Sequence, residues 1–243
     1  MSAKKKKKKH KGQTQDTYRR IFSIFEAPVS NFDCGEKCAP LSGGEPLCCS
    51  TGGAIPVANK AEFKFLRSRS DLWHKFIPMD AAGRKVAEEL ADNCMAMECK
   101  GVRHCERDNR SLACRAFPFF PYITKEGAML GLSYYWDFED RCWLISNLEQ
   151  VTVTFVRQAM AAFLLLMADD QDEFDVYKEH SASMRRVFSR WRQDIPVLTP
   201  DGDALSVKPK GAAVSRLTTF YTHGPYQSAE AFARAVRENE ESR

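Results

Sequence analysis

Nine cysteines lie in this chain, all of them between Cys34 and Cys142, and residues 143–243 contain none. Thiolates are soft donors that select zinc, copper(I) or iron–sulfur clusters, usually with four thiolates per centre. A chain whose cysteines must converge on such centres has little freedom in how that part folds. The distribution therefore predicts a zinc or iron–sulfur module in the first 145 residues.

The lysine run at the start of the chain indicates in which cellular compartment the protein is expected. No apolar stretch follows the run from Lys4 to Lys9, as a secretory signal would require. We therefore expect a cytoplasmic protein, and cytoplasmic thiols stay reduced, which favours metal ligation over disulfides. The most apolar stretch, residues 151–168, is interrupted by Arg157 and Gln158 and predicts a core helix, with no membrane contact.

The net charge of +4 is concentrated in the same run. Residues 1–20 contain nine Lys or Arg against one acidic residue, which leaves 27 basic and 31 acidic residues for the remainder. The body is therefore not a basic nucleic-acid binder by composition. We expect residues 1–20 to be a disordered tail, with weak polyanion contact through Lys4 to Lys9 as its possible activity.

Eight of the nine cysteines are candidate metal ligands. The ninth, Cys94, falls at helical spacing with Val86, Leu90 and Met97 in residues 83–97, which predicts a core thiol on a helix. Two four-cysteine centres would use all the remaining ones. The candidate ligands form two groups in the sequence: Cys34, Cys38, Cys48 and Cys49, then Cys99, Cys105, Cys114 and Cys142.

The first group contains two spacings of interest. Cys34 and Cys38 form a CxxxC pair that can grip one ion from a loop, with Gly35 permitting a tight bend. Cys48 and Cys49 are adjacent, and neighbouring side chains of an extended chain point to opposite faces. Either these two cysteines serve two centres, or one of them is structural.

The segment from Arg110 to Pro118, Arg-Ser-Leu-Ala-Cys-Arg-Ala-Phe-Pro, resembles the Arg-Pro-x-x-Cys-Arg-x-Phe-Pro signature of the YkgJ-type CxxCxxCC family. Cys48-Cys49 resembles the double cysteine of that family, and Cys142 its last one. The resemblance covers about residues 34–145 and implies chelation of zinc or iron. The first motif is stretched, and Ser111 replaces a proline. Flagellin lysine N-methylases carry a similar cluster, so an enzymatic role stays open, although residues 143–243 contain nothing that indicates methyl transfer.

Several residues around the cysteines have more than one reading. The aromatics of residues 117–122, with Tyr134, Tyr135, Trp136, Phe138 and Trp143, form either a dry wall around the cluster or ordinary core. Arg110 and Arg115 either stabilise a negatively charged cluster, cap a carbonyl or form salt bridges. His104 precedes Cys105, but adjacency alone makes neither a ligand nor a catalytic pair.

The fold class expected from these patterns is mainly α, with an irregular, loop-rich metal-binding region and little β structure. Residues 148–168 and 173–191 have helical periodicity, residues 195–207 alternate around Pro200, Asp201 and Gly202 as a hairpin, and Ser228 begins a closing helix. The predicted organisation is a tail in residues 1–20, a cysteine-rich domain in 21–145 and a helical region in 146–243.

Three functions remain open from the sequence. The leading one is a cytoplasmic protein holding zinc or an iron–sulfur cluster, with redox chemistry or cluster-assisted modification as its activity in the iron case. The alternative is a nucleic-acid or ribosome-associated protein with a zinc-stabilised body and a basic arm. The third is a metal-free, cysteine-dependent enzyme, which requires one thiol of depressed pKa.

Overall fold

The computed structural model of the protein describes residues 13–211 and 213–241 and has an α+β fold with two antiparallel sheets of three and five strands. The expectation of a mainly α chain with an irregular metal-binding region was therefore wrong. Hydrophobic periodicity does not reveal much of the β structure, because many of the strands are short or buried on both faces. Strand β4, Phe119–Ile123, is buried at all five positions and so lacks the alternation of a half-exposed strand.

Residues 13–118 form five α-helices and three strands. Most of these helices begin at a capping side chain, such as Thr14 before the first and Ser111 before the fifth. The helices are α1 Gln15–Ile24, α2 Gly35–Cys38, α3 Lys60–Arg69, α4 Ala81–Glu88 and α5 Leu112–Ala116.

The smaller sheet is made of β1 Val57–Asn59, β2 Trp73–Lys75 and β3 Cys94–Cys99, with β3 in the middle. The helix predicted over residues 83–97 is therefore wrong in its second half: α4 ends at Glu88, and Cys94 lies in β3. The helical spacing of Cys94 and Met97 is overridden because β3 pairs with a neighbour on each side, Asn59 opposite Cys94 and Trp73 opposite Cys99.

The larger sheet takes its strands from both sides of residue 145. Its order is β4, β5 Met129–Tyr134, β6 Ile195–Leu198, β7 Ala204–Val207 and β8 Val214–Arg216. The hairpin predicted for residues 195–207 is confirmed, and Gly202 takes the positive φ of 96° that its turn requires. The division of the chain at residue 145 stays a prediction.

Two long helices pack on this sheet, and a short one closes the chain. They are α6 Val153–Asp169 and α7 Gln171–Trp191, which confirm the two predicted helices, and α8 Ala229–Glu241, which begins after Ser228 as predicted. α7 lies against β4, while α6 lies against β5 and α1. One continuous core joins these layers, with Phe155 of α6 in ring contact with Phe25 and Phe119.

Residues 1–12, with the run from Lys4 to Lys9, lie outside the described residues. Helix α1 begins at Gln15, inside the segment predicted as a tail, and its Tyr18 and Ile21 are buried against α3 and α6. Within residues 13–211 and 213–241, no helix combines the length and apolar character needed to cross a membrane.

Candidate metal centre

A single cavity of about 370 Å³ contains all eight cysteines that the sequence proposed as ligands. It opens between α2, the turn that follows it, the end of β3, and α5. Cys94 does not line it. The lining thiols are those of Cys34, Cys38, Cys48, Cys49, Cys99, Cys105, Cys114 and Cys142.

Helix α2 supplies the first two thiols. Cys34 stands just before the helix and Cys38 ends it, so one helical turn separates them. Asp33 Oδ1 accepts a hydrogen bond of 2.9 Å from the Gly35 N–H and fixes the start of this turn. The CxxxC spacing therefore places the two sulfurs on the same side of one short helix.

After α2 the chain returns to the same cavity, and it does so through two close contacts at glycines, Gly35 with Pro46 and Gly53 with Leu47. A Cβ on Gly35 would lie 2.7 Å from the Pro46 ring, and a Cβ on Gly53 would lie 2.4 Å from the Leu47 carbonyl oxygen. A side chain would collide at either position, and Gly35, expected to permit a tight bend, begins the single turn of α2. The first contact holds the 3₁₀ turn of Leu47–Cys49 against α2, and the second packs Gly53 back onto the same turn.

Strand β3, the 3₁₀ turn that follows it and helix α5 supply the next three thiols. Cys99 ends β3, Cys105 follows a 3₁₀ turn at Val102–His104, and Cys114 lies in α5. Gly101, at φ 94°, reverses the chain between the first two. The Trp73 indole anchors this region by donating a 2.6 Å hydrogen bond to the Asn109 carbonyl oxygen.

Cys142, in the segment that follows β5, completes the set, and the C-terminal segment packs beside it. Tyr226 Oη donates to the Arg141 carbonyl oxygen at 2.9 Å, and Asn239 Nδ2 donates to that of Pro40 at 3.0 Å. Burial, and then the charges of Cys38 and Cys142, raise the pKa of Tyr226. Sequence reasoning missed this residue, because only the tertiary fold brings residues 223–241 beside the cysteines.

Donors to sulfur surround several of the thiols. Backbone hydrogen bonds from Leu47 to Cys38, from Gly101 to Cys99, and from Leu144 and Ile145 to Cys142 all favour the thiolate. Such N–H···S bonds are among the interactions by which proteins hold and tune metal thiolates. The donor set therefore fits a thiolate-bound metal.

The two arginines of the signature segment have different partners. Arg110 Nε donates to Cys105 Sγ at 3.1 Å, so this guanidinium serves a cysteine directly. Arg115 donates to carbonyl oxygens, those of Asp108 at 2.8 Å, Arg110 at 3.1 Å and Phe25. The structure thus assigns one of the alternative readings to each arginine.

Burial keeps most of these thiols neutral. It raises the pKa of Cys34 to about 11 and that of Cys114 and Cys142 to about 12, with neighbouring thiolate charge adding to each shift. The pKa values of Cys38 and Cys99 are also raised by burial. A metal cation would have to displace these protons, because the thiolate is the ligand.

The adjacent cysteines Cys48 and Cys49 behave differently from each other. A hydrogen bond from Cys48 lowers the pKa of Cys49, and the positive charge of Arg110 acts in the same direction. The same bond raises the pKa of Cys48, as does burial. Cys49 is thus the thiol of the cavity best placed to ionise.

The eight thiols share one cavity, but in the described residues they are not arranged as the ligands of a bound metal ion. Within residues 13–211 and 213–241, no three Cys, His, Asp or Glu side chains have an arrangement that could hold a metal ion. None of the four described histidines lines the cysteine cavity; His104 is exposed and His180 packs against Phe120, Tyr135 and Trp136. Ligation therefore requires the sulfurs to converge.

Part of the predicted aromatic wall lies at this site. Phe117 and Trp143 line the cavity, while Phe119 and Tyr134 are core residues of the larger sheet. Phe25 and Trp73 also line it and were not singled out from the sequence, since nothing in their local pattern connects them with the cysteines.

Comparison of the chain with family models, with curated proteins and with solved structures gives no match. The resemblance to the YkgJ-type family therefore stays a prediction that depends on the segment from Arg110 to Pro118 and on the placing of the cysteines.

Proposed function

We propose that this is a cytoplasmic metal-binding protein that holds zinc or iron, the latter as an iron–sulfur cluster, through the eight cysteines of the cavity. The observation that carries the proposal is that one cavity collects all eight candidate ligands and leaves out Cys94. The N–H donors to Cys38, Cys99 and Cys142, and the Arg110 side chain at Cys105, support it further.

We infer two groups of four thiols from the charges that act between them, although Cys49 also acts on Cys38 across the groups. The Arg110 guanidinium lies close to Cys105, Cys49 and Cys114, and the charges of Cys49 and Cys105 act on Cys99. On the other side, Cys34 and Cys38 flank one helical turn, and their charges act on Cys142.

Cys48 feels the charges of Cys49 and Cys114 and, to a smaller extent, that of Cys142, so it lies between the two groups. We infer one centre at Cys49, Cys99, Cys105 and Cys114, and a second at Cys34, Cys38, Cys48 and Cys142. The adjacent cysteines then serve two centres, the first of the two readings that their adjacency allowed.

The identity of the metal decides the activity. Zinc held by four thiolates is closed and structural, whereas an iron–sulfur cluster supplies electron transfer or supports cluster-assisted modification. In either case the chain's own residues exclude water through Phe117, Trp143 and Trp73, and Arg110 offsets negative charge at Cys105.

Metal and acid-labile sulfide analysis, with an absorption spectrum, on protein purified without oxygen tests this proposal. We expect stoichiometric zinc or iron, reduced in Cys114→Ser and unchanged in Cys94→Ser. Cys94 is the matched control because it is a half-buried cysteine outside the cavity. A folded protein free of metal would overturn the proposal, and a colourless zinc protein would remove the redox reading.

A second candidate function, contact with a polyanion such as RNA, is favoured by a basic surface groove. The groove lies between α7 and the edge of the larger sheet, and its six basic residues outnumber Asp175 and Glu179: Lys125, Lys178, Arg185, Arg186, Arg190 and Lys210. The Arg186 charge is already paired with Glu179 at 2.8 Å.

The tail and the groove can be tested separately. Deleting residues 1–12 leaves α1 intact, whereas a deletion to residue 20 would remove part of that helix. We expect RNA affinity that falls steeply with salt and decreases in the truncated protein or in Lys125→Glu/Lys178→Glu. Affinity unchanged by both alterations would exclude this candidate.

A further inference from the structure

A second cavity, of about 410 Å³, adjoins the cysteine cavity. Cys48, Cys114 and Phe117 line both, so these three side chains form the partition between them. The second cavity extends from that partition between β1 and the helices α1, α5, α6 and α7. Its size is that of a site for a small organic molecule.

Aromatic rings make up much of the wall of this second cavity. The rings come from six different elements and loops and surround the space from several directions. They belong to Tyr18, Phe117, Phe119, Tyr135, Phe138, Phe163 and Tyr177. The faces of such rings attract cations, and desolvated sites strengthen the attraction.

Two carboxyl groups are the charged residues of this wall. Glu62 of α3 is only 3% exposed, and its Oε1 accepts a 2.6 Å hydrogen bond from the Leu112 N–H. Glu173 of α7 is half-buried, and its charge acts on Glu62, Tyr18 and Tyr177.

No lysine, arginine or histidine is found among the described residues that line the cavity. The guanidinium whose charge acts on Glu62, that of Arg115, is held by backbone carbonyl oxygens and does not line this cavity. Acidic and aromatic groups therefore face this space together without a cationic side chain among them.

We propose that this cavity binds a small organic cation, a primary or quaternary amine on an apolar body. A buried carboxylate is costly unless it is paired, and a cation that enters the cavity would pair with Glu173 while its body contacts the rings and Glu62 offers a second oxygen acceptor. The inference goes beyond the proposed function and does not require the metal. The partition of Cys48 and Cys114 would place such a ligand directly against the metal centre.

Isothermal titration of the protein as purified, with its metal, tests the charge and the location. The probes are benzylamine and benzyltrimethylammonium, with benzyl alcohol and benzoate as neutral and anionic analogues of similar size. We expect saturable binding of the two cations at one site per chain, much weaker binding of benzyl alcohol and none of benzoate.

Variants locate the site. Glu173→Gln should weaken benzylamine about ten- to hundredfold, the range for losing an interaction with a charged group, and should leave benzyl alcohol unchanged. Asp175→Asn is the matched control, because it removes a carboxylate from an exposed position two residues along α7. Glu62→Gln adds a second test in which the amide oxygen still accepts from Leu112.

The contrary outcomes are distinct from failure of the metal proposal. Benzyl alcohol binding as tightly as benzylamine, an unchanged affinity in Glu173→Gln, or no saturable binding of either cation at millimolar concentration would overturn the inference. Metal content is measured on the same Glu173→Gln sample and should equal that of the unaltered protein. A loss of metal there would instead place Glu173 in the support of the centre.

Discussion

The Nε atom of Arg110 lies 3.1 Å from the sulfur of Cys105 and donates a hydrogen bond to it. The guanidinium is half-buried in the cysteine cavity, where its charge also favours the thiolates of Cys49 and Cys114. A fixed positive charge beside three thiolates offsets part of the negative charge that a metal centre of this type accumulates.

Replacing Arg110 should therefore weaken metal binding without destroying the cavity. For Arg110→Gln we expect a loss of about tenfold or more in metal affinity, the range found for partners of metal ligands. Competition with a chelator of known affinity measures it. Arg103→Gln, which removes an exposed arginine outside the cavity, is the control. Equal affinities in the two variants would contradict the role of Arg110.

Cys49 should be the most reactive thiol of the metal-free protein. Its pKa is lowered to about 7 by the hydrogen bond from Cys48 and by Arg110, whereas burial raises those of Cys34, Cys114 and Cys142 to about 11 or 12. Because only the thiolate reacts, brief iodoacetamide treatment at pH 7.5 should label Cys49 first. Peptide mass spectrometry reads out the order.

The pH dependence of the labelling rate tests the direction of the pKa shifts of Cys49 and Cys114. The rate should rise with pH through about 7 for Cys49 and keep rising to far higher pH for Cys114. In Arg110→Gln the midpoint for Cys49 should move upward, because a neighbouring positive charge that favours the thiolate is gone. Uniform labelling of all the thiols at neutral pH would contradict this order and the metal-free cysteine-enzyme hypothesis with it.

Gly53→Ala should disturb the turn that carries Cys48 and Cys49. The added Cβ would stand 2.4 Å from the Leu47 carbonyl oxygen, so the backbone must shift, at a cost of about 1–3 kcal/mol in the free energy of unfolding. Gly52→Ala is the matched control, since its nearest contact would be Ser50 Oγ at an ordinary 3.5 Å. Chemical denaturation and metal content of both variants test the prediction; equal stabilities would contradict it.

Glu62 should make the stability of the fold depend on pH. Burial raises its pKa to about 8 from an ordinary 4.5, so the folded state binds this proton more tightly than the unfolded chain does. The stabilisation is complete below about pH 4.5 and is lost as the pH rises through about 8. Glu62→Gln has no such proton, and its amide oxygen keeps the bond from Leu112.

Chemical denaturation of both proteins across this range tests the linkage. The difference in unfolding free energy between Glu62→Gln and the unaltered protein should move in favour of the variant by on the order of 4 kcal/mol between pH 4.5 and pH 9. Taking the difference at each pH removes the contribution of the thiols, which both proteins share. Glu149→Gln controls for loss of an exposed carboxylate. A difference that does not change with pH would contradict the prediction.

Local sequence patterns were sufficient where an element is long or ends at a strong turn. The helices α6 and α7 have several turns of consistent periodicity, and the turn at Gly202 marks the hairpin of β6 and β7. Patterns failed at the short and fully buried strands. Cys94 follows a helical spacing, yet it lies in β3 because backbone pairing with Asn59 outweighs a short periodic match.

The sequence by itself determined which residues can carry the chemistry. Eight of the nine cysteines are candidate ligands, Cys94 is excluded, and the segment from Arg110 to Pro118 lies among them. Only the tertiary structure decided that these eight share one cavity, since Gly53 must pass close to Leu47 and Cys142 must return from beyond β5 to meet the other seven. It alone also placed Glu62 and Glu173, 111 positions apart, in one aromatic cavity. Contacts between distant segments depend on packing of the whole chain, and no local spacing encodes them.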